Sequence, residues 1–243
     1  MNDSKLPDAN HPATPTSPRS RRDFLQMGIA GAAVGMAAGA GVNLSDPHRV
    51  LAQSSLTPEA ALKELMDGNR RFVDGKSTAH ELDIEILRRH QEASQEPFAA
   101  LLSCADSRAP VEILFDQTIG HIFVTRVAGN MVTPEIIASL EYGAQVLGTK
   151  VIMVLGHSDC GAVKAAIANK PVPGQISALY PHLRPAVDQA GPDPKAVTKA
   201  NAKIQATLLS EGSTVVASQI KEGKLKVVAG YYDIGTGVVT VLD

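Results

Sequence analysis

Two short stretches hold the residue types from which a reaction centre is built. One is Cys104-Ala105-Asp106-Ser107-Arg108, and the other is His157-Ser158-Asp159-Cys160-Gly161. Between them they carry the only two cysteines of the 243 residues. Cysteine and histidine are the ligands zinc prefers, and a catalytic zinc takes three protein ligands and keeps one position open. Cys104, His157 and Cys160 supply three. The H-x-x-C spacing lets a strand end and the first turn of a helix clasp one ion. A helix starting at Cys160 also favours its thiolate, because the helix N-terminus is the positive end of the dipole. Two thiolates and a dication sum to zero charge, so the group can be buried. Asp106 and Arg108 then read as an ion pair beside the metal, suited to bidentate hydrogen bonding. A redox pair or a disulfide is the rival reading of the cysteines.

The flanking residues say what must position these groups. Phe98 to Ser103 and Val151 to Gly156 are apolar runs that read as buried strands, each ending at one of the two stretches. His121–Arg126, Leu225–Ala229 and Val238–Leu242 read as further strands, the last at an edge after the Gly235-Thr236-Gly237 turn. Thr57-Pro58-Glu59 and Thr133-Pro134-Glu135 are helix starts, with Thr as N-cap and Pro in the first turn. Gly68-Asn69 is expected to interrupt the first of these helices. A second helix is expected over about Leu82 to Glu92, and a short helical turn after Pro110. Others are expected over Cys160–Ala168, Lys195–Leu209 and Thr214–Glu222. Pro171 to Pro194, with six prolines, is expected to be a surface loop that includes one short helix. Strands alternating with helices make an α/β fold with a mainly parallel sheet, and such sheets bind ligands at the carboxyl ends of their strands. Cys104 and His157 both fall there.

Composition narrows the partners. A formal charge of −2 gives no electrostatic case for nucleic acid, and 44% apolar residues are ample for a core. Residues 1–52 read as a leader rather than as fold. Met1 to Pro18 is polar and Pro-rich, and Arg21-Arg22 precedes a Gly/Ala-rich, mildly apolar run from about Met27 to Val42. That pattern resembles a twin-arginine export signal and is a poor bilayer span, so membrane contact is expected only in transit. Val50-Leu51-Ala52 is the expected cleavage site, leaving residues 53–243 as a single catalytic domain in the periplasm or another extracytoplasmic space.

C-x-D-S-R followed by H-x-x-C, each at a strand end, resembles the β-class carbonic anhydrases. The resemblance runs from about Thr57 to the C-terminus. It implies one Zn2+ per subunit on Cys104, His157 and Cys160, and reversible hydration of carbon dioxide to bicarbonate by attack of zinc-bound hydroxide. It also implies four parallel strands plus an antiparallel edge strand, in a homodimer or a dimer of dimers. Asp106 would orient the nucleophile and Arg108 would hold Asp106. In one subgroup Asp106 closes the site by moving onto zinc. That subgroup has Trp where this chain has Leu101, whereas Gln95 matches the open subgroup. By similarity Gln95, Phe123 and Tyr142 line the substrate pocket, some of them across the dimer interface, and the Gly161 N–H helps hold bicarbonate. Two thiolate donors predict activity that rises toward alkaline pH. Hydrolysis of carbonyl sulfide or carbon disulfide on the same scaffold is the alternative reaction, and a non-catalytic zinc protein is the alternative role.

Overall fold

The computed structural model describes residues 53–79, 83, 85 and 95–243. The twin-arginine stretch and most of the expected Leu82–Glu92 helix lie outside these residues. In chain order the elements are α1 (Pro58–Val73), β1 (Ala99–Ser103), α2 (Val111–Leu114), β2 (Ile122–Arg126), α3 (Pro134–Gln145) and β3 (Val151–His157). There follow α4 (Gly161–Ala168), a 3-10 turn (Ile176–Leu179), α5 (Tyr180–Ala190), α6 (Pro194–Gly212), α7 (Thr214–Lys221), β4 (Lys226–Tyr232) and β5 (Val239–Leu242). No helix among the described residues is long and apolar enough to cross a membrane.

The five strands form one sheet in the order β2-β1-β3-β4-β5, parallel except for β5. Both central strands are buried along their whole length, as apolar runs without alternation require. Side chains of a strand alternate between faces, so β1 feeds two layers. Ala99 and Leu101 join Leu65 and Phe115 under α1 and α2, whereas Ala100 and Leu102 join Leu140, Ala202 and Leu209 under α3 and α6. The chain leaves β1 for β2 on one side, then crosses back and leaves β3 for β4 on the other. The crevice at the carboxyl ends of β1 and β3 is therefore the topological switch point, where open α/β sheets place ligands.

Three local expectations need correction. Gly68-Asn69 does not interrupt α1, which runs on to Val73. These residues are its docking face. A Cβ on Gly68 would lie 1.8 Å from the Phe115 carbonyl oxygen. Asn69 Nδ2 donates to the carbonyls of Leu114 and Gly237 at 3.0 Å, and its Oδ1 accepts from the Val239 N–H at 2.9 Å. The Pro-rich segment is helical over most of its length and not mainly loop: a 3-10 turn leads into the 11-residue α5. Pro181 lies in the first turn, where its missing N–H removes nothing. Pro185 forfeits one backbone bond, and burial of Leu183 and Ala186 offsets that loss. Finally, β4 extends three residues beyond Ala229, as far as Tyr232.

Asp116 anchors the far end of the sheet. It is buried with φ 45°, and its carboxylate accepts from Arg71 Nε at 2.6 Å and from the N–H groups of Thr78 and Ala79 at 2.9 and 3.0 Å. Burial pushes its pKa up, but Arg71 and the two amides outweigh burial, and the net shift is downward. A carboxylate with a lowered folded pKa contributes stability above its unfolded pKa and loses it as pH falls through the folded value. Asp116→Asn is expected to lower unfolding free energy by about 2 kcal/mol near neutral pH, read by urea titration. The gap between variant and wild type should narrow below about pH 4, the unfolded carboxylate value. A variant of wild-type stability at pH 7 contradicts this.

Candidate metal centre

Parallel pairing brings the two stretches together. Ser103 is in register with Leu155, so Cys104 leaves β1 beside the last residues of β3, Gly156 and His157. The three expected ligands meet there, buried, with their ligand atoms all within 4.8 Å of one another. The sulfurs of Cys104 and Cys160 are 4.0 Å apart, and both cysteines are free thiols. A disulfide requires about 2.05 Å, whereas two Zn–S bonds of about 2.3 Å at a tetrahedral angle require about 3.8 Å. His157 Nδ1 donates to the Ser158 carbonyl at 2.8 Å, which leaves Nε2 as the lone-pair nitrogen. Nε2 is buried and has no hydrogen-bond partner. An orphaned imidazole nitrogen facing two thiols is what a metal would satisfy, so the donor set fits zinc.

The thiols share their electrostatics. The Cys104 pKa falls to about 4, first because Cys160 donates to its sulfur and then, against the opposing effect of burial, because of His157 and the N–H of Gly129. Cys160 is pushed up correspondingly, by the Cys104 sulfur and by burial, although the amides of Ala162 and Val163 favour its thiolate. Two buried sulfurs this close resist carrying two negative charges unless a cation lies between them. Burial pushes the His157 pKa down, but the Cys104 sulfur raises it on balance.

Asp106 and Arg108 form the expected fork. Arg108 Nε and Nη2 donate to Asp106 Oδ1 and Oδ2 at 3.0 and 2.8 Å, and the Arg108 backbone N–H donates to Oδ1 at 2.9 Å. Asp106 Oδ2 lies 3.9 Å from His157 Nε2, against the ligand cluster. Arg108 holds the Asp106 carboxyl well below the usual carboxylate range despite burial. Asp159, half-exposed, ties the two motifs together. Its Oδ2 accepts from Arg108 Nη1 at 3.3 Å and its Oδ1 pairs with Lys164, in a backbone with φ 60°.

Of the other expected site residues, Gly161 lies at the cluster and Gln95, Phe123 and Tyr142 lie away from it. Gly161 opens α4 directly after Cys160, and a Cβ there would meet nothing within 4 Å. Phe123 pairs with Ala100, four positions before Cys104, or about 13 Å along the strand. Its ring stacks at 6.2 Å, tilted, on that of the half-exposed Tyr142. Gln95 is exposed ahead of β1, at the opposite end from the metal ligands. This single chain does not bring these three beside Cys104. His121 also lies at that far end, just before β2.

Four residues that hold the site carry no motif. Arg126 Nε donates to the Cys104 carbonyl at 2.9 Å and its Nη2 to the Asp106 carbonyl, fixing the loop that carries both. The Gly129 N–H donates to Cys104 Sγ at 3.3 Å, and behind it stand Asn201 and Gln205. Asn201 and Gln205 are legible after the fact, as amides spaced i, i+4 on the otherwise largely apolar buried stripe of α6.

The carbonic anhydrase family matches residues 99–239, which spans every ligand and both motifs. The chain belongs to that family. A carbonic anhydrase of Pseudomonas aeruginosa is 30% identical over 199 residues, covering 75% of this chain and 88% of that protein. Carbonic anhydrase 2 of Mycobacterium tuberculosis is 44% identical over 111 residues, and that match spans 46% of this chain and about half, 53%, of the mycobacterial protein. The β-carbonic anhydrase CafA of Aspergillus fumigatus superposes with a TM-score of 0.60 at 26% identity, over 72% of this chain and 89% of that one. The Coccomyxa β-carbonic anhydrase, solved with acetazolamide, gives 0.58 at 28% identity, over 74% and 86%. This carbonic anhydrase family member thus has the sheet and helix layers of the β-class.

Proposed function

We propose that the protein is a zinc-dependent β-class carbonic anhydrase catalysing CO2 + H2O ⇌ HCO3− + H+. One observation carries the reading: the buried Cys104–His157–Cys160 cluster, with an unpartnered His157 Nε2, lies against the Asp106–Arg108 fork at the switch point of the sheet. Zinc, when bound by these three residues, supplies the Lewis acidity that makes water a nucleophile near neutral pH. The chain's own residues do the rest. The Asp106 carboxylate accepts a hydrogen bond from the attacking water, which turns a lone pair toward carbon dioxide. Arg108 keeps that carboxylate ionised and aimed. Leu101 stands where the closing subgroup carries Trp, and Gln95 matches the open subgroup, which favours an open site with Asp106 off the metal.

The deciding experiment is stopped-flow hydration of carbon dioxide by purified protein together with its zinc content. Turnover rising toward alkaline pH is expected at one zinc per chain; stoichiometric zinc without hydration sinks the proposal.

We further infer a homodimer or dimer of dimers, with residues 53–243 exported as the catalytic domain by a leader within 1–52. Solved β-carbonic anhydrases of Sordaria macrospora are tetrameric. In this chain Tyr142, Val146 and Leu208 are large exposed apolar groups. In an oligomer Gln95, Phe123 and Tyr142 would serve a neighbouring subunit's pocket. A monomer by light scattering, or activity confined to the cytoplasm on fractionation, contradicts these two readings respectively.

A further inference from the structure

A buried hydrogen-bond relay ends on one of the metal-ligating sulfurs. The Val132 N–H donates to Gln205 Oε1 at 2.8 Å, and Gln205 Nε2 donates to Asn201 Oδ1 and to the His182 carbonyl, both at 3.2 Å. Asn201 Nδ2 donates to the Gly129 carbonyl at 3.0 Å, and the Gly129 N–H donates to Cys104 Sγ at 3.3 Å. Asn201 is 0% exposed and Gln205 1%. Burying two primary amides is unfavourable unless their groups are paired, and here each amide is used at both its oxygen and its nitrogen.

Gly129 is the backbone that the relay holds. It adopts φ +80°, open to glycine and strained for other residues. A Cβ there would lie 3.3 Å from both Leu183 methyls and 3.4 Å from the Ala162 Cβ, so the loop cannot be stiffened by a side chain. A glycine has the widest backbone freedom, and without an anchor on its carbonyl its N–H would not stay on the sulfur. The Gly129 N–H belongs to the peptide before the glycine and the carbonyl to the one after it, so Asn201 acts on orientation and does not polarise the amide directly.

We propose that Asn201 and Gln205 are positioning residues for the metal centre: by fixing the Gly129 backbone they keep one N–H on Cys104 Sγ and so temper electron donation from that thiolate. The inference rests on the metal reading of the cluster. A hydrogen bond to a ligating sulfur withdraws charge from it, leaves the metal a stronger Lewis acid, and makes the nucleophilic water more acidic. Two thiolate ligands donate strongly, and one N–H on one sulfur is a means of offsetting that within the chain.

The test is Asn201→Leu, close in size and without polar atoms, in protein loaded with cobalt(II) in place of zinc. The sulfur-to-cobalt charge-transfer band should move to lower energy than in wild type. With zinc, the alkaline midpoint of carbon dioxide hydration should rise by about one pH unit, the scale of one hydrogen bond to a charged group. Loss of thermal stability with an unmoved band and midpoint makes the relay only structural and overturns the inference. If Asn201→Leu does not fold, Gln205→Leu, one bond further from the sulfur, should give a smaller shift of the same sign; an unmoved band there overturns it equally. Wild-type protein that takes up no cobalt overturns the metal reading as well, which separates the two failures.

Discussion

Cys160→Ala is expected to abolish stoichiometric zinc binding and to reduce carbon dioxide hydration to background. Cys160 caps α4 with its sulfur 4.0 Å from that of Cys104, and among the described residues the cluster holds only Cys104, His157 and Cys160, with Asp106 tied to Arg108 beside it. Structural zinc sites with four ligands bind with about 10 to 16 kcal/mol, or on the order of 3 kcal/mol per ligand, so removing one of three lowers affinity at least ~100-fold. The fold should survive, because a sulfur is exchanged for a small void at the edge of the Val163, Leu183 and Val197 cluster. The metal-free melting temperatures of variant and wild type should therefore lie close together, while zinc raises only that of the wild type. Chelation of the wild type should reproduce the variant. Metal analysis after dialysis decides: a variant that retains one zinc per chain and half the wild-type rate rules out Cys160 as a ligand.

The Cys104–His157–Cys160 cluster is legible in the sequence because few residue types suit a zinc site, and because the strands that carry these residues are unbroken apolar runs. The sheet is legible for the same reason. Its edges and loops are less so, since there tertiary contacts override local preference. Gly68 and Asn69 read as a helix break because both are weak helix formers. They remain helical because one allows the Phe115 carbonyl to approach and the other joins α1 to β5. Pro185 reads as a loop residue, yet sits inside α5 because Leu183 packs on the metal-site cluster. Arg126, Asn201 and Gln205 lie far from either motif in sequence, and only the pairing of β1 with β2 and the docking of α6 bring them to the site. Asp159 is adjacent to a ligand, but its ties to Arg108 and Lys164 depend on a left-handed backbone that its residue type alone does not announce.

Asp106→Asn is expected to keep zinc and lose ~100- to 1000-fold in turnover, the range for removing a positioned proton-handling group. Asp106 is outside the ligand cluster, so metal content should not change. The carboxylate accepts three hydrogen bonds from Arg108, and the asparagine amide would present an N–H where one of them arrives. The sign of the pH effect follows from the lowered Asp106 pKa, caused first by the Arg108 guanidinium and opposed by burial. The group is ionised at every pH above its ordinary value of about 4, so it adds no inflection to the activity profile between about pH 6 and 9. Any stability it confers is present above that value and is lost only as pH falls through the lower folded value. Turnover of Asp106→Asn should therefore be reduced by a similar factor across the neutral and alkaline range, with the alkaline rise set by the metal centre and its sulfur hydrogen bond. A variant with wild-type turnover would make the Asp106–Arg108 pair a structural clasp between the two loops. A variant that loses zinc would place Asp106 on the metal, in the closed arrangement.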